Sequence, residues 1–335
     1  MPIFRQFLAG IAMLAVLALP QPAHAETEIE IGYMPILPVS QLFVGLEEGW
    51  YAEAGATVKL VEFQNGPAMV QALLAGQLDV AHFGIGPAMV ARAKGADIKV
   101  VAASIIEQIS FVAQPELAKA FADGDAETAF QRFSEEHGRR PVITTFPVGS
   151  VPQTVLRYWI DKQIGANHED AEIIYQGAAQ VQQALLTGAV DGAAILEPIV
   201  TTTLNRVPEA TVVAKGSAMF PGQPGAILAV REGLIAQNPD LVRALVAAHK
   251  RATDQLNADP SGTAPHVQKY VGGGRLPLET VEQALKSTSG SFVSNPSAII
   301  AGAQSMHDFQ EEIGTLKAKV DIDALFDAGF YPVGQ

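Results

Sequence analysis

The sequence predicts an α/β protein with two similar lobes, each a mostly parallel sheet flanked by helices, joined by two crossover strands. Three observations support this prediction: one segment occurs twice, strand and helix patterns alternate around both copies, and a late apolar strand is followed only by helical patterns. Alternating strands and helices are typical of parallel sheets covered by helices. A strand followed only by helices cannot start a third sheet, so we expect it to return to the first lobe.

The repeated segment occurs once in each predicted lobe. Residues 71–81 and, 112 residues later, residues 183–193 both read Gln-Ala-Leu-Leu-x-Gly-x-x-Asp-x-Ala, and an apolar segment follows each copy up to Pro87 or Pro198. The pattern is that of a helix ended by glycine and followed by a short strand. A single copy would be a common helix-to-strand turn. Two copies indicate two lobes, because the period far exceeds the roughly 20 to 50 residues of solenoid repeats.

The first lobe is predicted to contain four strands and three helices. The strands are predicted at 29–33, 58–63, 80–83 and 98–103. The first helix should run from Ser40, its N-cap, through Trp50, and the next two should begin at 66–67 and 84–87. Residues 105–113 are strand-like and leave the lobe, and residues 115–140 are a polar helical insertion.

The second lobe repeats this order after the insertion. Its strands are predicted at 141–145, 173–175, 192–196 and 211–214, and its helices at 151–164, at 180–187 and from 197–198. An apolar strand at 225–230 precedes a region that is helical throughout. We therefore assign 26–108 and 224–335 to lobe I and 109–223 to lobe II, with crossings near 107–111 and 221–225.

Composition excludes several classes of protein. The 335 residues are 48% hydrophobic, enough to fill two cores, and a formal net charge of −13 argues against nucleic acid or an anionic membrane as partner. Without cysteine the chain has no disulfide, thiol nucleophile or thiolate metal site. The seven histidines show no metal-ligand spacing. We therefore predict no catalytic residue, no metal and no cofactor.

Residues 1–25 are predicted to be a secretory signal peptide. Arg5 precedes an apolar run at 7–19, and residues 23–25 form a small-x-small cleavage site. The run of 13 residues is short of the roughly 20 that a membrane span needs. We expect cleavage after Ala25 and a soluble, secreted protein.

Several short motifs together resemble a known family. They are Ile31-Gly32-Tyr33, Gly49-Trp50-Tyr51 with Gly55, Ala75-Gly76 with Asp79, Gly84 with Pro87, Glu197-Pro198 and Asn238-Pro239. In order and spacing they are similar to the solute-binding proteins of nitrate, sulfonate and taurine ABC importers, over essentially the whole mature chain. The resemblance implies a two-lobe periplasmic binding protein that closes on a small-molecule solute, here expected as a monomer. It also implies delivery of that solute to an ABC permease and its ATPase in the inner membrane.

Ligands of open parallel sheets bind beyond the carboxyl ends of the strands, where helix N-termini point N–H groups at them. The candidate ligand-binding residues at these edges are Met34, Ser40, Gln41, His82, Phe83 and Gly84 from lobe I, and Phe146, Gly149, Ser150, Tyr175, Gln176 and Glu197 from lobe II, with Gly66, Glu107 and Gln108 beside them. Alternatives stay open for several of these residues. Ser40 and Ser150 could be plain N-caps, His82 a core histidine, and Glu197 a residue that only complements its helix N-terminus.

The predicted site has no Lys or Arg on any strand-end turn, which favours a monoanion or a zwitterion over a highly charged anion. The leading solute is a small sulfonate such as taurine, its ammonium group paired with Glu197. One alternative is a neutral heterocycle such as a thiamin-precursor pyrimidine, stacked on Tyr175, Phe83 and Phe146. A secreted hydrolase is the alternative of another class, but neither Gly-x-Ser-x-Gly nor His-Glu-x-x-His occurs.

Overall fold

The computed structural model describes residues 26–332, so the predicted signal peptide lies outside the described residues. The strands are β1 (Thr27–Tyr33), β2 (Ala56–Glu62), β3 (Val80–Gly84), β4 (Ile98–Ala103), β5 (Ser110–Ala113), β6 (Val142–Thr145), β7 (Glu172–Tyr175), β8 (Gly192–Ile195), β9 (Thr211–Ala214) and β10 (Ala226–Arg231). The helices of the first part of the chain are α1 (Ser40–Glu47), α2 (Trp50–Glu53), α3 (Gly66–Leu74), α4 (Ile85–Ala93), α5 (Pro115–Ala122), α6 (Ala129–His137), α7 (Val151–Tyr158) and α8 (Ala178–Thr187). Those that follow are α9 (Ile199–Arg206), α10 (Gly216–Met219), α11 (Glu232–Gln237), α12 (Pro239–Ala258), α13 (Pro260–Gln268), α14 (Leu278–Ser287), α15 (Ile300–Glu312) and α16 (Ile322–Leu325).

The strands form two five-stranded sheets with the same topology, which confirms the predicted fold class. The first has the order β2-β1-β3-β10-β4 and the second the order β7-β6-β8-β5-β9. In each sheet the second strand pairs in parallel with both neighbours, β1 with β2 and β3, and β6 with β7 and β8. One crossover strand enters each sheet antiparallel, β10 in the first and β5 in the second. The last strand therefore returns to the first sheet, as the sequence predicts.

The repeated aspartate has the same structural role in both lobes. Asp79 Oδ2 accepts a hydrogen bond from Glu30 N at 2.9 Å, and Asp191 Oδ2 accepts one from Val142 N at 2.7 Å. The backbone N–H of each aspartate donates in return to the carbonyl of that partner, at 2.9 and 2.8 Å. Each aspartate thus joins the start of β3 or β8 to the neighbouring strand β1 or β6, because its carboxylate accepts from a backbone N–H that has no partner in the sheet.

The repeated glycine ends its helix in both lobes. Gly76 has φ 75° and Gly188 has φ 67°, a left-handed conformation that glycine adopts without steric cost. In both lobes the N–H of the next residue donates, at 3.0 Å, to the carbonyl five residues earlier. This is the hydrogen bond expected where glycine terminates a helix.

Two crossing segments connect the lobes and pair with each other. Gly225 N donates to Ile105 O at 2.8 Å, and Glu107 N donates to Gln223 O at 2.9 Å. The sequence predicts one strand over residues 105–113, but only β5 belongs to a sheet. Ile106, which precedes β5, pairs with Pro224 of the second crossing instead. The two crossings therefore form a short double connection between the sheets.

The C-terminal helices of lobe I also contact lobe II, on both sides of the crossings. On one side Asn205 Nδ2 of α9 donates to Gln283 Oε1 of α14 at 2.9 Å. On the other side Gln310 Nε2 of α15 donates to Thr154 Oγ1 of α7 at 2.9 Å. The two lobes are therefore in contact across the cleft in this structure.

Two predictions about the first helix are wrong. Ser40 is not the N-cap but the first residue of α1, because a 3-10 turn at Leu37–Val39 precedes it and its hydroxyl donates to Leu37 O at 2.6 Å. The helix does not run through Trp50, because Gly49 takes a left-handed conformation, φ 77°, and α2 starts after it. Among residues 26–332, no helix has the length and apolar character to cross a membrane.

Candidate functional site

A small cavity lies between the lobes, where the carboxyl ends of strands from both sheets meet. Its volume is about 30 Å³, and its lining is Met34, Ile36, Gly66, Gly84 and Pro87 from lobe I, Phe146, Ser150, Val151, Pro152 and Leu196 from lobe II, and Gln108 and Ala226 beside the crossings. This volume holds about one or two water molecules. A solute of several heavy atoms can therefore enter only when the lobes move apart.

The two lobes contribute equivalent positions to this cavity. Met34 follows β1 and Phe146 follows β6, while Gly84 ends β3 and Leu196 follows β8. Each pair is separated by 112 residues, the spacing of the sequence repeat. The repeat thus places the same strand ends on both sides of the cleft.

Three helices begin at the cavity. Gly66 starts α3, Gly84 precedes α4, and Ser150 precedes α7. The first N–H groups of a helix have no partner within that helix, and its N-terminus has a partial positive charge. The cavity is therefore suited to a negatively charged group even though its described lining contains no Lys or Arg.

Two polar side chains at the cavity have free hydrogen-bonding capacity. Ser150 Oγ caps α7 by accepting from Gln153 N at 3.4 Å, and within the described chain its hydroxyl donates no hydrogen bond. Gln108 is 8% exposed, and its Oε1 has no partner within residues 26–332. Buried polar atoms normally have a partner. A bound solute or water between the lobes would supply it.

Comparison with known proteins assigns the family. A sequence model of the NMT1-like family matches residues 23–271. The chain belongs to the NMT1-like family. A binding protein of Brucella abortus with no stated solute is 27% identical over 335 residues, 98% of each chain.

Solved structures share the fold of this NMT1-like protein. The alkanesulfonate-binding protein SsuA of Xanthomonas axonopodis, bound to MOPS, has a TM-score of 0.72 and 20% identity, covering 89% of this chain and 97% of its own. The periplasmic nitrate-binding protein NrtA of Synechocystis has a TM-score of 0.74 and 17% identity, covering 91% of this chain and 87% of its own. The resemblance inferred from the sequence is confirmed.

Glu197 of this NMT1-like protein lies near the cavity but is not part of its lining. The side chain is buried, and its carboxylate accepts from Thr201 N at 2.9 Å, Thr201 Oγ1 at 2.8 Å and Ser287 Oγ at 2.8 Å. Its carbonyl accepts from Leu37 N at 3.2 Å. Burial raises the pKa of Glu197, and the hydrogen bonds from Thr201 and Ser287 partly oppose this. Since Ser287 and Leu37 belong to lobe I, we call these two contacts the Glu197 latch.

Four other predicted residues lie inside lobe I. Ser40, Gln41, His82 and Phe83 are fully buried, and none lines the cavity. Gln41 Nε2 donates to the carbonyl of Ser104 at 2.7 Å, which fixes the start of the first crossing. These residues therefore support the strands and the crossing in the described structure.

His82 is one of two buried histidines in the lobe I core. Its ring lies 5.6 Å from that of His249, centroid to centroid, and its Nε2 is 3.4 Å from Tyr51 Oη. Burial, and secondarily the nearby His249, hold the pKa of His82 well below its usual range. Burial lowers the pKa of His249 to about 4, and its Nε2 lies 2.7 Å from Ala103 O. Both imidazoles are therefore neutral at physiological pH.

The remaining predicted residues of lobe II are dispersed. Tyr175 is 41% exposed and lines a surface depression beside β7, while the Gln176 side chain accepts from Thr144 Oγ1 at 3.0 Å. Gly149 lines a groove next to the cavity. The structure thus brings together Met34 and Gly84 with Phe146 and Ser150, and contact of any of them with a solute stays a prediction.

Two sets of residues around the cleft are not predicted by the sequence. The first is the apolar wall of the cavity, formed among others by Ile36, Val151 and Leu196. The second is basic: Lys94 and Lys317 line the groove on one side of the cavity, and Arg275 lines a larger opening on the other side. These cations lie outside the strand-end turns, so the position of the strand ends in the sequence does not predict them.

Two clusters in the described residues have the composition of a metal site, and the one in α15 does not have its chemistry. His307 lies beside Asp308 and Glu311 in α15. Its Nε2 accepts from Val320 N at 3.1 Å, so its Nδ1 carries the proton and donates to Asp308 at 3.0 Å. A metal needs an unprotonated nitrogen. His307 is therefore a structural link between α15 and residue 320.

Proposed function

We propose that this protein is the solute-binding component of an ABC import system and captures a small sulfonate-type solute by closure of its lobes. The observation that carries the proposal is the meeting of three helix N-termini with Ser150 and Gln108 at one inter-lobe cavity. The family assignment and the fold shared with nitrate- and alkanesulfonate-binding proteins support it. We also propose a periplasmic location after removal of residues 1–25, action as a monomer, and delivery to an inner-membrane permease and its ATPase.

The charge of the site favours a singly charged head group. Helix N-termini stabilise an anion by roughly 0.3 to 1 kcal/mol each at exposed sites and more where partly buried. The described lining has no cation that would offset the cost of desolvating a second negative charge. The apolar walls suit a short hydrocarbon group attached to the head group.

An alkanesulfonate fits these features better than taurine does. Taurine needs a partner for its ammonium group, and the Glu197 carboxylate already accepts three hydrogen bonds. The Gln108 Oε1 atom at the cavity has no partner in the described residues and can accept from that group. We therefore propose Gln108, rather than Glu197, as the residue that an amino-sulfonate would use.

Of the three aromatic residues predicted to stack on a heterocyclic solute, one lies at the cavity. Phe146 lines the cavity, whereas Phe83 lies in the lobe I core and Tyr175 on the surface of lobe II. An aromatic solute would therefore stack on one ring instead of three. Pyrimidines belong in the binding screen for this reason.

Thermal-shift screening of the mature protein tests the proposal. The panel contains ethanesulfonate, taurine, nitrate, bicarbonate and a hydroxymethylpyrimidine. A ligand at 100 times its Kd stabilises the folded state by about 2.7 kcal/mol. We expect the largest shift with ethanesulfonate, and a shift with the pyrimidine alone would replace the sulfonate proposal.

Two variants test whether the solute binds in the described cavity. Gly84→Val adds atoms where a Cβ would already lie 2.8 Å from Val151 Cγ2 of the opposite lobe, so it should obstruct closure and abolish binding. Ser150→Ala should weaken binding several-fold, whereas the exposed Ser305→Ala should not. Small-angle scattering should also show a smaller radius of gyration with the solute, since closure rotates the lobes together. Binding that survives Gly84→Val would place the site elsewhere.

A further inference from the structure

We propose that the solute site extends into a groove beside the cavity and that the preferred solute is an elongated dianion with an apolar spacer. This inference rests on the proposed function. The groove has a volume of about 300 Å³ and lies between α3 and α4, residues 315–318 of lobe I and Val148–Gly149 of lobe II. Both lobes form it, so an occupant would hold them closed.

The groove and the central cavity are neighbours in the same cleft. Pro87 lines both spaces. Pro67 and Gly149 line the groove, while the adjacent residues Gly66 and Ser150 line the cavity. A solute held at the helix N-termini therefore has the groove as its continuation between the lobes.

The floor of the groove is apolar. Val70 of α3 and Pro87 and Val90 of α4 form one side, and Leu316 and Val148 form the other. Val148 is 51% exposed, which is unusual for a large apolar side chain of this protein. An apolar solute segment would cover it and gain burial energy.

Two lysines line the groove, and Lys94 lies at its far end because α4 begins at the cavity and ends just before that residue. Lys94 follows α4 and Lys317 belongs to the C-terminal loop, and both are exposed. Neither ammonium group has an ion-pair or hydrogen-bond partner within residues 26–332. The chain has 22 basic and 35 acidic residues, so two unpaired lysines in one groove are a local exception to its charge. The positive charge of the two lysines favours an anionic group of the solute beside them.

The geometry of α4 sets the length of the solute. Pro87, Val90 and Lys94 are spaced i, i+3, i+7 and so follow one face of the helix. Seven residues of α-helix span about 10 Å, so the second anionic group should lie about 10 Å from the first, across a chain of roughly six to eight carbon atoms.

Titration calorimetry with three sulfonates tests the inference. The solutes are ethanesulfonate, hexane-1-sulfonate and hexane-1,6-disulfonate. Hexane-1-sulfonate should bind more than tenfold tighter than ethanesulfonate, because each buried methylene group contributes about fourfold. The disulfonate should bind about tenfold tighter again at low salt, and that second gain should shrink as salt is added.

Charge variants identify the residues responsible. Lys94→Gln with Lys317→Gln should remove the advantage of the disulfonate and leave hexane-1-sulfonate unchanged. Arg206→Gln, which removes an exposed cation at the end of α9, is the matched control and should change neither. Val148→Asp should weaken both long solutes and spare ethanesulfonate.

The outcomes separate the two proposals. If ethanesulfonate binds but the longer solutes gain nothing, or if the disulfonate keeps its advantage in the double variant, the groove proposal is overturned and the proposed function stands. If only the disulfonate binds, the groove proposal stands, and the sulfonate class of the proposed function is narrowed from small to elongated solutes. If none binds, both are overturned.

Discussion

The change Ser287→Ala distinguishes a Glu197 that holds the lobes together from one that holds the solute. The Ser287 hydroxyl donates to Glu197 Oε1 from lobe I, whereas both other donors to the carboxylate come from Thr201, in the same lobe as Glu197. Removing this hydroxyl therefore breaks a contact between the lobes and leaves the N-terminus of α9 capped.

The expected loss of binding affinity in Ser287→Ala can be estimated from the hydrogen bond between Ser287 and Glu197. A hydrogen bond to a charged group contributes about 1.5 to 3 kcal/mol. Glu197 and Ser287 also line a second opening of about 310 Å³, from which water can replace the lost donor. We therefore expect the lower limit, about 1.5 kcal/mol, which makes closure and hence binding about tenfold weaker.

Titration calorimetry with ethanesulfonate and taurine measures this loss. In Ser287→Ala both solutes should lose about tenfold in affinity, with the ratio between them unchanged. Ser291→Ala is the control: Ser291 lines the same opening, but within the described chain its hydroxyl makes no hydrogen bond. Glu197→Gln should affect the two solutes equally, because the hydroxyls of Thr201 and Ser287 can turn to accept from the amide. A loss confined to taurine would mean that the carboxylate holds the ammonium group, and no loss in any variant would refute the latch.

The latch also has a pH dependence with a definite sign. Because burial raises the pKa of Glu197, the folded protein binds this proton more tightly than the unfolded chain does. The contribution of Glu197 to stability is therefore greatest at acid pH and falls as pH rises through the range between its unfolded and folded pKa values. Glu197→Gln should remove this slope from the free energy of unfolding.

Three further predictions concern stability, measured by urea unfolding. Asp79→Ala and Asp191→Ala should each cost about 1 to 3 kcal/mol, because a partly buried backbone N–H loses its acceptor; losses below 0.5 kcal/mol would contradict the role assigned to the repeat. Because burial lowers the pKa of His249 to about 4, the unfolded chain binds that proton first, and stability should fall by about 3 kcal/mol as pH drops from about 6.5 to 4. His249→Gln should flatten that slope, and an unaltered slope would assign it to other groups. Gly302→Ala, whose Cβ would lie 2.3 Å from a backbone oxygen of the second crossing, should cost about 1 to 3 kcal/mol. Gly233→Ala, whose Cβ would lie no closer than 3.9 Å to any atom beyond its chain neighbours and its own helix backbone, should gain about 0.5 to 1 kcal/mol, and equal effects in the two glycine variants would refute the steric argument.

The architecture was predictable because its signals are local and occur twice. A helix ended by glycine and a strand opened by aspartate can each be recognised within about ten residues, and the repeat relates the two lobes. The same pattern predicts where the strands end, and with them the positions of Met34, Gly84, Phe146 and Ser150 at the cleft. These four positions follow from chain connectivity, since the carboxyl ends of parallel strands share one edge.

The direction of side chains could not be predicted in the same way. All residues of β3 up to Phe83 are buried, so alternation between a polar and an apolar face, the usual indicator of orientation, is absent. His82 therefore looked like an equally good candidate for the cleft and for the core. Its position against Tyr51 and His249 depends on α2 and α12, which lie far from it in the sequence.

The residues at the rim of the cleft come from different parts of the chain than the residues at its centre. Paired positions of the repeat, such as Met34 and Phe146, build the centre, and both members of a pair are mostly apolar or small. Apart from Ser150 and Lys94, the charged and hydrogen-bonding groups around it come from segments that the repeat does not duplicate: Gln108 from a crossing, and Ser287 and Lys317 from the C-terminal region of lobe I. Two similar lobes supply similar strand ends. Segments that occur only once in the chain can therefore make one side of the cleft chemically different from the other. Among binding proteins that share this fold, the preference for one solute over another should therefore depend mainly on the crossings and the C-terminal helices.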